Sequence, residues 1–190
     1  MIQDYFEGKD FTGINYAEAN FPKGTYENCR FVNCQFTNTD LSGYLFIDCQ
    51  FELCDLSMIK CRGTALRDIQ FKHCKMLGLH FDDCNPFLLS FSFENCILDF
   101  SSFFRLKLKN LHFKECKLQE VDFVEANLTG AVFFNCDLTR AVFDNSILDA
   151  ADFRTAFNFS INPEGNSISQ AKFASQNIVG LLDKYNLIIE

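Results

Sequence analysis

The 190-residue chain has no tryptophan, only three prolines, and no apolar run approaching the ~20 residues that a membrane-crossing helix needs. A helical membrane span is therefore excluded. The first residues, Met1 to Glu7, are acidic and lack the basic-then-apolar order of a secretory leader, which predicts a soluble cytoplasmic protein. A glycine-rich phosphate loop is missing, and no nucleophile, base and orienting group recur in a recognisable arrangement. Catalysis finds no support, and neither a cofactor nor a metal is expected. Bases are scarce too: 17 against 25 acids leaves a net charge of −8, which argues against direct nucleic-acid binding, because phosphate contacts need a basic track.

What the chain does have is a period of five. Every fifth residue from Leu88 to Phe153 is Leu or Phe in strict alternation, fourteen positions in all. Two residues before these centres the side chain is usually small or apolar, as at Cys96, Ala126, Ala131, Cys136, Ala141 and Ala151, and the residues between are mostly polar. Five fits neither a 3.6-residue helix nor a long alternating strand. Within one unit, however, the two apolar positions sit two apart, so a short strand points both at one surface and the remaining residues must turn a corner. So short a repeat cannot bury its own apolar face and has to stack on its neighbours as a solenoid.

An earlier register runs from Phe6 to Phe81, with sixteen apolar centres including Cys61. The next good centre is Leu88, seven residues on, so two extra residues enter at Asp82 to Phe87 as a bulge. If residues twenty apart stack, or twenty-two across the bulge, then Phe11, Phe31, Phe51, Phe71, Phe93, Phe113, Phe133, Phe153 and Phe173 form one column. Cys34, Cys54, Cys74, Cys96, Cys116 and Cys136 form a second column under the same rule. That agreement argues for twenty residues per coil, about eight coils, and a rod roughly 40 Å long at the usual spacing between strands.

This pattern resembles the pentapeptide-repeat family. The resemblance implies an all-β fold, a right-handed quadrilateral parallel β-helix with four pentads per coil over residues 1–174, with a loop near 158–166. Residues 175–190 would add a short C-terminal capping helix, Gln176 to Tyr185, started at Ser175 and stopped at Asn186, and then a strand at Leu187-Ile188-Ile189. The apolar surplus of this tail predicts a homodimer through the C-terminus, formed by Ile178, Val179, Leu181, Leu182, Leu187, Ile188 and Ile189.

Of the ten cysteines, Cys29, Cys34, Cys49, Cys54, Cys74, Cys96, Cys116 and Cys136 fall at the small inward position and read as compact apolar filler. Cys84, in the bulge, is the one expected to be exposed. The histidines, His73, His80 and His112, fall at outward positions. Phe100 and Phe104 break the outward pattern and, with Asp82 and Asp83 of the bulge, are candidates for a contact patch. Phe87 is expected to fold inward and fill the corner.

Charge is segregated along the chain. Residues 1–58 and 119–164 are each at net −6, while residues 59–118 are at net +4. Within the family, the likeness is closest to gyrase-binding members, the albicidin-resistance type and more distantly the quinolone-resistance type. It is carried by Cys74-Lys75-Met76-Leu77-Gly78, by Phe93-Glu94-Asn95-Cys96-Ile97-Leu98, and by the ending from Ala151-Asp152-Phe153 through Ala171-Lys172-Phe173 to Leu181-Leu182. The resemblance implies a non-catalytic DNA mimic that presents acids to a type II topoisomerase, DNA gyrase or topoisomerase IV, and inhibits it or protects it from a poison. The acids nearest the tail, Asp137, Asp144, Asp149 and Asp152, are the candidate contacts. The long projecting loops of the quinolone-resistance type are missing here. The alternative is a scaffold that offers a rod face to an unrelated protein, supported by the basic stretch Arg105, Lys107, Lys109, Lys114 and Lys117. The two readings separate on whether those bases lie opposite the acids or among them.

Overall fold

Each five-residue unit turns its corner at a fixed place. Two residues after the apolar centre the backbone is left-handed, with φ of 51° at Asn33, 59° at Arg105 and 70° at Gly130, and this recurs along the rod. Asn, Asp and Gly tolerate that conformation best and occupy many of the corners. A side chain on such a corner points to solvent, which is why Leu53, Met58 and Phe100 are exposed although apolar. The computed structural model describes residues 4–188; Ile189, expected at the dimer interface, lies outside them.

Eleven short strands result: β1 (Asp4–Glu7), β2 (Asp10–Thr12), β3 (Gly24–Glu27), β4 (Arg30–Val32), β5 (Leu45–Ile47), β6 (Gln50–Glu52), β7 (Ala65–Arg67), β8 (Ile69–Lys72), β9 (Phe91–Glu94), β10 (His112–Lys114) and β11 (Val132–Phe134). All pair in parallel. They stack into a four-sided parallel β-solenoid. Face 1 carries β1, β3, β5 and β7 and continues above the bulge through the bridges Lys107–Asn127–Ile147–Ser167. Face 2 is the seven-stranded sheet β2-β4-β6-β8-β9-β10-β11, prolonged through Asp152 and Lys172. Face 3 is a run of single bridges from Asn15 through Asp55, Lys75 and Lys117 to Phe157, and face 4 runs through Asp40 and Lys60, then His80, Ser102, Asp122 and Val142.

The register is the expected one, with Phe31 over Phe11 twenty residues on and Phe93 over Phe71 twenty-two on. The nine-phenylalanine column is continuous, its rings stacked 4.7–5.4 Å apart from Phe11 to Phe173. A second column on face 4, Phe81, Phe103, Phe123 and Phe143, stacks at 4.6–5.2 Å. The two columns meet edge to face inside the rod, as Phe103 and Phe113 do at 87°, an arrangement suited to the aromatic quadrupole. The Leu/Phe alternation thus has a simple cause: opposite faces carry the same residue, Phe on 2 and 4, Leu on 1 and 3. All ten cysteines are buried as free thiols. Burial pushes the Cys49 thiol up to about 12, as suits filler rather than a nucleophile.

The bulge departs from expectation. Leu88 is not a core centre; it is exposed, with the φ of +57° of a corner residue. Phe87 points to solvent as well, its ring 5.3 Å from the Arg67 guanidinium. Phe91 is buried instead, against Phe81, Phe93 and Phe103, and Leu89 packs on the core's edge. The chain rejoins the stack at Ser90, whose N–H donates to the Leu66 carbonyl. Cys84 is buried, because a 3-10 turn at Phe81–Asp83 carries it back under the coil, where the following Asn85 N–H bonds Thr64 O.

At the C-terminal end, Phe159 and Ile161 turn inward, and Phe159 meets Phe153 and Phe173 at 5.7 and 5.6 Å. The tail forms two 3-10 helices, Ile178–Leu181 and Asp183–Tyr185, rather than one continuous helix started at Ser175. Asn186 does end it, in a left-handed conformation. Leu187 and Ile188 are exposed and form no strand.

Candidate interaction surface

The outward positions of each unit are the residues just before and just after the centre, together with the corner. Assigning charged residues to faces in this way separates what the linear sequence leaves mixed. The four candidate acids fall on four different faces: Asp149 on face 1, Asp152 on face 2, Asp137 on face 3 and Asp144 on face 4. They do not form one surface. Three of them hold the coil together. The Asp137 carboxylate accepts from Thr139 N and Oγ1, Gln119 and Asn158; Asp152 accepts from Arg154 N and pairs with its guanidinium at 2.7 Å; Asp149 accepts from Ser167 Oγ at 2.6 Å and Ser169 N. Asp144 alone of the four has no side-chain hydrogen bond among the described residues.

Many acids just before a centre play the part of Asp137. An Asp or Asn just before the centre accepts from the N–H two residues on, as at Asp40, Asp55, Asp122 and Asp152, a local turn that suits these short side chains. At Asp137, partial burial pushes the pKa up, but the bonds from Thr139, Asn158 and Gln119 together outweigh it and hold the carboxyl below its ordinary value. Hydrogen bonds from Ser42 lower Asp40, and the Arg154 side chain lowers Asp152. A depressed folded-state pKa contributes stability above the unfolded value near ~3.9 that disappears as pH falls through the folded value. Melting temperature is therefore expected to be flat from neutral pH to about 5 and to fall below about 4, and Asp137→Asn should shrink that acid-side drop. Parent and variant losing stability in parallel from pH 5 to 2 would refute the assignment.

Acids do collect on face 4. Asp82, Asp83, Asp122, Glu125 and Asp144 all lie there from the bulge towards the C-terminal end. Asp122 and Glu125 were missed by reasoning along the chain; at the C-terminal loop the register slips by one residue, and Gly165, whose carbonyl accepts from Asn145 N, takes the place above Asp144. Phe104, half-buried, and Arg105 interrupt the row; the Arg105 guanidinium lies 4.6 Å from the Phe104 ring and bonds Glu125 at 2.7 Å. Phe100, 58% exposed, stands on the corner between faces 3 and 4. Face 2 pairs its charges as well, as in Arg30–Glu52 and Lys114–Glu94.

The five bases do not lie opposite the acids. Arg105 is on face 4, Lys107 and Lys109 on face 1, Lys114 on face 2 and Lys117 on face 3, so they girdle one coil. Among the described residues no helix is long and apolar enough to cross a membrane, and no cluster of three His, Cys, Asp or Glu is arranged to hold a metal ion.

At the C-terminal end, Ile178, Val179, Leu187 and Ile188 are exposed, Leu182 is half-buried, and Leu181 turns in against the core. The expected interface residues that lie among the described ones thus share one end of the rod, with Leu181 serving the fold.

Comparisons with known proteins agree with this architecture. Residues 88–157 match the family model described as a pentapeptide repeat region. A trypsin-treated form of QnrB1, a plasmid-mediated fluoroquinolone resistance protein, is similar at 19% identity and a TM-score of 0.63 over 95% of this chain and 98% of that one. Full-length QnrB1 gives the same identity and TM-score over 97% and 100% of the two chains. At that identity the likeness is one of fold. No curated protein matches the chain. With the family's repeat matched over residues 88–157 and the coil of four pentads running from Phe11 to Phe173, the chain has the pentapeptide-repeat fold.

Proposed function

We propose that this protein is a non-catalytic DNA mimic that binds a type II topoisomerase, DNA gyrase or topoisomerase IV, and modulates it or shields it from a poison. The observation that carries this reading is the acidic row on face 4, Asp82, Asp83, Asp122 and Asp144, along a rod whose fold is shared with QnrB1. Carboxylates along one face are complementary to a protein groove that otherwise holds phosphates, and they speed encounter as well as fix register. The contact is assigned to face 4 as a row, with Asp144 retained from the four acids near the tail. Asp137, Asp149 and Asp152 each accept two or more bonds within the coils, whereas Asp122 accepts one, from Val124 N. A homodimer through Ile178, Val179, Leu182, Leu187 and Ile188, with Ile189 beyond the described residues, would place two such rows end to end and cover the exposed apolar tail.

One observation favours the other reading, a scaffold for an unrelated protein: the basic girdle from Arg105 to Lys117 crosses the acidic face instead of lying behind it. A supercoiling assay with purified gyrase, run with and without a fluoroquinolone, separates the two. The parent chain at micromolar concentration is expected to slow supercoiling or relieve the poison. Asp122→Lys/Asp144→Lys on face 4 should lose that effect at least tenfold, and Glu115→Lys on face 2 should keep it. No effect of the parent, or equal effects of both variants, would leave the scaffold reading standing.

A further inference from the structure

The bulge on face 1 brings three independent features to one place. Phe87 and Leu88 are 64% and 62% exposed, beside the half-buried Leu89. Three cations flank them on the same face, Arg67 on the coil below and Lys107 and Lys109 on the coil above. None of these cations has a carboxylate partner among the described residues, whereas Arg105 and Lys114 on neighbouring faces do. The Arg67 Nε is buried and unpaired. The backbone ladder also lapses here. One coil higher, Asn127 N–H, Asn127 C=O and Thr129 C=O are bonded to Leu106, Leu108 and Asn110. The equivalent groups of Lys107 and Lys109 have no partner among the described residues, and they border a cleft of about 160 Å³ lined by Leu89, Ser90, Phe91 and Lys107 to Leu111.

We infer that this bulge is a docking site for a short acidic segment of a partner protein, one that carries an aromatic or aliphatic anchor. The anchor would rest on Phe87 and Leu88, where isolated apolar side chains gain most from being covered. Carboxylates on either side of it would pair with Arg67, Lys107 and Lys109. An extended backbone supplies both the acceptor and the donors that the open groups of Lys107 and Lys109 require. A nucleic acid fits less well, because Asp48 and Asp68 below the patch and Asp149 above it on the same face would repel a phosphate backbone running past the three cations. The charge pattern selects a ligand that is acidic and short.

The test is to pan a random-peptide display library over the full chain, then measure selected peptides by fluorescence anisotropy. Selected sequences are expected to be acidic with a central aromatic or aliphatic residue. Their binding should weaken with salt and fall at least tenfold in Lys107→Glu/Lys109→Glu and in Phe87→Ser. All three side chains are exposed, so the variants should melt with the parent. Asp122→Lys/Asp144→Lys, which disables the topoisomerase reading, should bind the peptides unchanged, so either idea can fail without the other. Failure to enrich any sequence, enrichment of neutral or basic ones, or affinity indifferent to the face 1 variants overturns the inference. Tighter binding of a labelled oligonucleotide than of the selected peptides would do the same.

Discussion

Truncating Phe113 to alanine is expected to lower stability by about 3–5 kcal/mol, or roughly 6–20 °C in melting temperature for a chain of this size. Phe113 is fully buried, stacked 5.2 Å from Phe93 and 5.1 Å from Phe133, and touched edge to face by Phe103 and Phe123. Removing its ring takes partners from four other rings at once. The gap cannot close easily, because strand spacing is held by the backbone ladder His112–Val132 on one side and Phe93 on the other. In a solenoid each coil contacts only its neighbours, so the loss falls on two interfaces in the middle of the rod and should lower cooperativity as well. Phe173, half-buried at the end of the same column, provides the comparison; Phe173→Ala removes one stacked neighbour at 5.3 Å and should cost well under half as much. Calorimetry on the two variants decides. Equal losses would mean that the column is not the structural spine.

The second large effect is expected at Gly180. A Cβ at this residue would fall on the Phe159 carbonyl oxygen and within 2.7 and 2.8 Å of its ring carbons, while the Gly180 carbonyl accepts from Ile161 N at 2.9 Å. Backbone meets backbone there, so the clash cannot be relieved by rotating a side chain. Gly180→Ala should lift the two C-terminal 3-10 helices off the last coil, uncover Phe159 and Ile161, and destabilise the end of the rod by about 3 kcal/mol, near the upper range for overpacking. Gly165→Ala is the control, since its added Cβ would meet only side-chain atoms, Asn162 Nδ2 at 3.3 Å and Asp144 Oδ1 at 3.5 Å. Hydrogen exchange at Ile161 and Gly180 reports the undocking. Protection unchanged from the parent would show that the tail does not close the solenoid there. If the proposed dimer forms through this end, Gly180→Ala should also shift the chain to monomer in sedimentation, and Gly165→Ala should not.

The coil was legible because its determinants are local and repeat. Each unit needs only two inward side chains two apart and a residue that accepts a left-handed corner, so a period error would have broken both the phenylalanine and the cysteine columns. Where the repeat breaks, local rules stopped choosing correctly. Leu88, Leu89 and Phe91 all offer an apolar side chain to one vacant inward place, and the pattern of five selects Leu88. Packing selects Phe91, whose ring reaches Phe81, Phe93 and Phe103 at 5.1–6.2 Å. Cys84 was misplaced for a related reason, because the turn at Phe81–Asp83 reverses the direction expected of a bulge residue. The tail's apolar spacing was helical, but it has to lie across the end of a four-sided coil, with Gly180 close against Phe159, and it does so as two short 3-10 turns.

The candidate acids are separated for another reason. They were grouped by nearness in sequence, and in a rod that turns a quarter circle every five residues, neighbours in sequence are on different faces. Asp137, Asp144, Asp149 and Asp152 span one circuit, whereas Asp122 and Asp144 share a face because the centres they flank, Phe123 and Phe143, are one circuit apart.

From sequence alone followed the period, the stacking register across the bulge, the buried thiols other than Cys84 and the outward histidines, since each depends on side-chain size and polarity repeated at fixed spacing. Only the tertiary structure decided which residues of the bulge turn in, which carboxylates are held within the coils, and where cations are left without partners. Those outcomes depend on competition between several groups for one site, and packing and hydrogen-bond geometry settle that competition.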